Sequence, residues 1–240
     1  MALFVRDQKT PGVPAEVPSQ GRAARWMERL RDVVLRNPEP PSRSFRYLAR
    51  LIERELGGRT TGLVLAISGI DKDESPANAL LMLAYCLRSE LDSRVLMIDA
   101  RLKDTAGGIS GILGLHEAPG YAQIMRAGPG DPRAFIQQTR VAGVDALPAG
   151  QPASGTAVAL DNATLRHLLD WARGEYDHVL VQVGSALRDT RNATTAVETD
   201  AVFLFADEHK TFMKGLDDCR QLLLSNGAHQ VKVIVAGGQI

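Results

Sequence analysis

The feature that most restricts this chain is a regular alternation, from residue 63 onward, of short Val, Ile and Leu runs with longer stretches at helical period. The β-type runs are LVLAIS from Leu63, RVLMID from Arg94, VDALPAG from Val144, HVLVQV from His178, AVFLFA from Ala201 and VKVIVA around Lys232. Helical patterns lie between them over Ala77–Glu90, near Ile109–Leu113, over Asn162–Arg173 and over Thr211–Ser225. Strands apolar at nearly every position are buried on both faces, and strands separated by helices pair in parallel. The predicted fold is a three-layer α/β/α domain with a mostly parallel central sheet, whose ligands belong at the C-terminal strand ends.

Charge narrows the partners. Lys and Arg number 28 and Asp and Glu also 28, so no net field favours nucleic acid or an anionic membrane. No apolar run reaches the roughly 18 to 20 residues that span a bilayer. The start, MALFVRDQKT, turns polar too soon for a secretory signal. A cytoplasmic location is expected, with any association at the inner membrane made through a partner. Cys86 and Cys219 lie in apolar periodic segments and read as buried thiols rather than a disulfide. His116, His167, His178, His209 and His229 show no metal-ligand spacing and read as surface or capping residues, so no metal is expected.

Residues 1–42 form a separate region in this reading. Residues 1–20 hold three prolines and no helical period, and are expected to be a disordered tail. Over Arg22–Arg36, residues Trp26, Met27, Leu30, Val33 and Val34 share one face, with Arg22, Arg25 and Arg29 elsewhere: an amphipathic basic helix. Two readings stay open for it, packing on its own domain or contact with a partner or anionic surface. A stiff NPEPPS linker then leads into the domain over 43–240. That domain opens on a helix over Ser44–Leu56, with an apolar stripe of Phe45, Leu48, Leu51, Ile52 and Leu56 and a Gly57-Gly58 stop.

The stretch after the first Val/Ile/Leu run is where an α/β nucleotide-binding protein puts its phosphate loop. Such a loop needs glycines, a lysine and a Ser/Thr hydroxyl for magnesium. Here it reads S-G-I-D-K-D-E-S-P-A over 68–77, with Gly69 as its single glycine and Asp71, Asp73 and Glu74 repelling phosphate. Ser75 as N-cap and Pro76 at the first helical position give the same residues a structural use. Lys72 is the one residue placed to reach an anion. Asp99, ending the second strand, reads either as a metal-water or catalytic carboxylate or as a polar turn residue. Gln182 stands where an acid would order magnesium, and an amide supplies no charge for that task.

Several stretches taken together resemble the kinase domain of bacterial tyrosine kinases, the capsule and exopolysaccharide autokinases of the MinD/ParA-like P-loop group. They are SFRYLARLI, VLAISGIDKDESPANALLMLAYCL, RVLMIDARLKDTAGGISGILGLHEAPGYAQIM, VDALPAGQPAS and YDHVLVQVGSALRDT. The resemblance covers about Ser44 to Ala236 and implies a P-loop NTPase-like fold. Carried over by position, it sets the phosphate-loop lysine on Ser75, the next Ser/Thr pair on Pro76 and Ala77, and two glycines on Lys72 and Glu74. Of two aspartates on the second strand it leaves Asp99, with Arg101 as the other, and it sets the Walker B aspartate on Gln182. The family's oligomerisation helix has Arg43 in place of its glutamate, keeps Arg46, and has Ala49 beside Arg50 in its third place. No tyrosine-rich run follows Tyr176, so a phosphorylated tail is not expected.

The resemblance and these losses lead to one expectation. The chain is a degenerate kinase-like protein of capsule or exopolysaccharide biosynthesis or export, without ATP or magnesium as cofactor. It serves as a regulatory or scaffolding partner of a membrane chain-length-determinant protein, a polysaccharide co-polymerase, and also contacts itself or an active kinase relative. The alternatives are an active ATP-dependent tyrosine autokinase or ATPase with a non-standard site, using Lys72 and Asp99, and a ParA/MinD-like positioning protein.

Overall fold

The structure, a computed structural model, describes residues 2–6, 43–70, 76–102, 107–151, 159–207 and 211–237. Its eight strands are β1 (Ala2–Arg6), β2 (Leu63–Gly69), β3 (Val95–Asp99), β4 (Gln137–Gln138), β5 (Val144–Leu147), β6 (His178–Val183), β7 (Ala201–Asp207) and β8 (Val231–Gly237). They form one sheet in the order β1-β8-β7-β2-β6-β3-β5-β4. From β8 to β5 every neighbouring pair is parallel, while β1 on β8 and β4 on β5 are antiparallel. The expected α/β/α architecture is the one observed.

The helices are α1 (Arg43–Leu56), α2 (Ala77–Leu91), α3 (Ile109–Ile112), α4 (Tyr121–Ala127), α5 (Asn162–Glu175), α6 (Thr190–Val197) and α7 (Met213–Ser225). Alternation along each buried strand divides its side chains between two cores. Leu63, Leu65 and Ile67 of β2 pack with α1 and α2, whereas Val64 and Ala66 belong to the core covered by α4, α5, α6 and α7. The β2-to-β3 connection moves one way along the sheet and carries α2 on the first face. The connections from β5, β6 and β7 move the other way and carry α5, α6 and α7 on the second. A uniform crossover hand requires this division. The stripe on α1 is buried as expected, and Arg46 and Arg50 clamp it to α2 through Glu90, at 3.3 and 2.9 Å.

The structure departs from the sequence reading at several places. Ala2–Arg6 is not tail: it adds a five-residue antiparallel edge strand to β8, with Phe4 opposite Val235, because four consecutive apolar residues can complete a ladder that would otherwise end open. The basic helix with Arg22, Arg25 and Arg29 lies outside the described residues. At α2 the N-cap position belongs to Pro76, whose ψ of 13° is outside the helical range, and Leu80 N–H donates to its carbonyl at 2.8 Å. Ser75, expected there, is outside the described residues. His178 is buried rather than on the surface, since it opens β6 in the middle of the sheet. Cys86 and Cys219 are buried free thiols, and burial chiefly raises their pKa values to about 12 and about 11.

Asp200 ties the start of β2 to the second helical layer. Its carboxylate accepts from Val64 N–H at 2.8 Å, Arg173 at 2.5 Å and Arg59 at 2.7 Å. Burial pushes its pKa up, but the Arg173 hydrogen bond, the Val64 amide and the charges of Arg173 and Arg59 outweigh this and lower it. The resulting stabilisation is fully present above the unfolded value, near about 4, and is lost as pH falls through the lower folded value. Asp200→Asn is expected to cost about 1 to 2 kcal/mol in urea denaturation at pH 7. The gap from the parent protein should narrow as the pH approaches about 3.

Candidate functional site

The C-terminal ends of β2, β6 and β3 lie side by side, and their register decides what can meet there. Gln182 of β6 sits between Ile67 of β2 and Asp99 of β3. Both Gln182 and Asp99 are fully buried, so each needs hydrogen-bond partners within the fold.

Asp99 has several. Arg101 Nε donates to Oδ1 at 3.0 Å, and its Nη2 approaches Oδ2 at 3.4 Å. Ser110 donates to Oδ2 from its hydroxyl at 2.6 Å and from its backbone N–H at 3.2 Å. Extended backbone sets residues two apart on one side, which lets Arg101 fold back onto Asp99. The guanidinium is itself largely enclosed, its side chain 11% exposed. It lies so close to Gly108 that a Cβ there would come within 1.5 Å of Nη2. Any larger residue there would force the guanidinium to shift.

Gln182 is similarly committed. Its Oε1 accepts from Ile109 N–H at 2.9 Å, and its backbone carbonyl accepts from Ala100 N–H at 2.9 Å. Ser110 Oγ also accepts from Ala149 N–H at 2.9 Å, which joins the end of β5 to the same cluster. The start of α3 thus closes over both strand ends. On the other side, Ser185 Oγ donates to the Ile70 carbonyl at 2.6 Å and Ser68 Oγ reaches the Gly184 carbonyl at 3.1 Å, fixing the exit of β2 against β6.

The structure therefore brings together Asp99 and Gln182 of the expected site, with Gly69 at the end of the adjacent strand β2. Asp71, Lys72, Glu74 and Ser75 lie outside the described residues. Arg46 and Arg50, expected as contact residues, are paired with Glu90 of the same chain. The sequence reading did not anticipate Ser110 or the Asp99–Arg101 pair. The two-residue spacing at a strand end was the available signal for the pair, and nothing marked Ser110. Among the described residues no cluster of His, Cys, Asp and Glu is arranged to hold a metal, and no helix is long and apolar enough to cross a membrane.

No family model matches the chain. A tyrosine-protein kinase of Salmonella typhi, wzc, is 25% identical over 172 residues, 72% of this chain but only 23% of that protein. The BceF tyrosine kinase domain superposes with a TM-score of 0.70, at 18% identity, covering 92% of this chain and 87% of that one. In sequence and in fold the chain is similar to bacterial tyrosine kinases. The kinase domain of Escherichia coli tyrosine kinase ETK gives a TM-score of 0.67 at 21% identity, over 85% of this chain and 79% of that one. The septum site-determining protein MinD of Pyrococcus horikoshii, solved with Mg-ADP, gives 0.59 at 18% identity, over 70% and 68%. At these identities the structural likenesses establish the fold alone, which the chain shares with these kinase domains and with MinD. The chain matches about a quarter of the length of its curated relative.

Ser110→Ala removes the hydroxyl that joins Asp99 to the end of β5 and changes little volume. It leaves the Ala149 N–H and one Asp99 oxygen short of a partner, so a loss of about 1 to 3 kcal/mol is expected by chemical denaturation. Unchanged stability would show that the cluster does not hold the strand ends together.

Proposed function

We propose that this chain is a kinase-shaped protein without phosphoryl-transfer chemistry, a regulatory or scaffolding partner of a membrane chain-length-determinant protein in capsule or exopolysaccharide assembly. One observation carries the reading: the buried strand-end carboxylate, Asp99, already has a built-in cation, Arg101, at 3.0 Å.

The residues present do not fit magnesium–ATP. A divalent ion needs free carboxylate oxygens at the strand ends. Both Asp99 oxygens are engaged by Arg101 and Ser110, and Gln182 offers a neutral oxygen that already accepts from Ile109. A metal would also meet the guanidinium's positive charge. Breaking a buried ion pair costs about 3 to 5 kcal/mol, which alone would weaken metal binding roughly a hundredfold or more. Carboxylates at 71, 73 and 74 in place of a glycine-rich loop, and serine in place of its lysine, act in the same direction. No ATP or magnesium cofactor is assigned. The fold supports the partner role because it is retained over a span where the charges for transfer are replaced.

Isothermal titration of the protein with Mg-ATP should give no saturable heat up to about 1 mM, while an active bacterial tyrosine-kinase domain binds in parallel. Co-purification from membranes should recover the chain-length-determinant protein. Micromolar nucleotide affinity, or radiolabel transfer from ATP lost in Asp99→Ala, would establish a working enzyme instead. Retention on membranes that lack the chain-length-determinant protein would remove the partner assignment.

A further inference from the structure

The edge of the sheet opposite Asp99 holds a cavity of about 650 Å³, within the range of small-molecule sites. It is lined by the N-terminal ends of β2 and β6, by Arg94 just before β3, and by the C-terminal ends of α1, α2 and α5. Helix C-termini carry partial negative charge, and three of them converge here.

Formal charge adds nothing to this sign, because Arg59, Arg88, Arg94, Arg133 and Arg173 balance Glu53, Asp92, Glu175, Asp177 and Asp200 around the cavity, and what matters is where individual carboxylates stand. Arg59 and Arg173, which line the cavity, are both committed to Asp200. The Arg94 guanidinium lies 5.3 Å from the centre of the Tyr176 ring. On the acidic side, Asp92 is paired with Arg88 and Glu175 with Arg133. Glu53 and Asp177 remain, and among the described residues neither carboxylate is paired with a lysine or arginine side chain. Asp177 accepts only a backbone N–H, from Arg94 at 2.6 Å.

His178 belongs to the same wall and is 4% exposed, yet among the described residues neither ring nitrogen has a hydrogen-bond partner. Its Nε2 lies 3.5 Å from Glu53 Oε2, too far for a good hydrogen bond. Two buried ring nitrogens without partners are costly unless something else is to meet them. Burial chiefly lowers the histidine pKa, with Glu53 and Asp177 pulling the other way, so the ring keeps a lone pair at neutral pH. The Glu53 side chain is 47% exposed.

We propose that this cavity binds an organic ammonium ion, held between the Glu53 carboxylate and the His178 imidazole where three helix C-termini converge. An ammonium group entering between them exchanges the 3.5 Å contact for charge-assisted hydrogen bonds to both. The same chemistry is offered by a free polyamine and by a lysine side chain of another protein. The site is independent of nucleotide binding, which would occur at the other edge of the sheet.

The test is calorimetric titration of the whole protein with spermidine and, separately, with N-acetyl-lysine methylamide, with inorganic phosphate as the control of opposite sign. Saturable binding of spermidine identifies a polyamine site, and binding of the lysine derivative alone identifies a protein lysine. In either case Glu53→Gln should weaken binding about tenfold, the loss of one charge-assisted hydrogen bond, and the His178 ring nitrogen resonances should move on titration. Glu53 is half exposed, so this variant is expected to fold; its thermal midpoint checks that. No saturable binding of either amine, an affinity unchanged in Glu53→Gln, His178 resonances that stay still, or binding of phosphate instead overturns the proposal.

Discussion

A carboxylate with no exposed surface at the end of a central parallel strand must be neutralised, and in this chain Arg101 does so for Asp99. The rest of the C-terminal edge is arranged to hold that pair. Gly108 yields the space the guanidinium occupies, Ser110 binds the carboxylate and the end of β5, and Gln182 holds the start of α3 over both. In a P-loop protein the corresponding edge receives a metal and phosphates, whose charges pay for buried acids. Here the charge balance is internal. An ion pair of this kind adds little stability over apolar replacement, but losing one member is expensive, so the arrangement is hard to leave once adopted.

The two edges of the sheet thus differ in kind. At the C-terminal edge the buried side chains of Asp99, Gln182 and Ser110 have partners from the chain itself. At the N-terminal edge, His178 lies buried with neither ring nitrogen satisfied, beside carboxylates that no lysine or arginine side chain neutralises. The same strand, β6, contributes Gln182 near one end and His178 at the other, and only the second lacks its hydrogen bonds. Satisfied polar groups fix structure, whereas unsatisfied ones in a cavity leave binding energy available.

Much of the fold was legible because continuous Val/Ile/Leu runs have few uses other than buried parallel strands. What escaped did so for local reasons. The strand Ala2–Arg6 depends on β8, almost the full chain away, to become a strand at all. Helix α6 reads TRNATTAV, rich in β-branched residues, and is started by Asp189, whose side chain accepts from Arg191 N–H. At the site, the sequence revealed which charges stood at the expected positions but not that Arg101 would turn back onto Asp99. His178 read as a surface or capping residue; its neighbour Glu53 on α1 lies 125 residues earlier, a contact that follows from tertiary packing alone.

The most direct test of the internal charge balance is a double-mutant cycle on its two members, Asp99→Asn and Arg101→Met, read by urea denaturation of both single variants and the double variant. Each single change should destabilise the protein by about 3 kcal/mol, and the double variant by about 3 to 4 kcal/mol rather than the roughly 6 of simple addition, a coupling energy of about 2 to 3 kcal/mol. Single-variant losses that simply add, with coupling below about 0.5 kcal/mol, would contradict the claim that Arg101 is the cation Asp99 was built around.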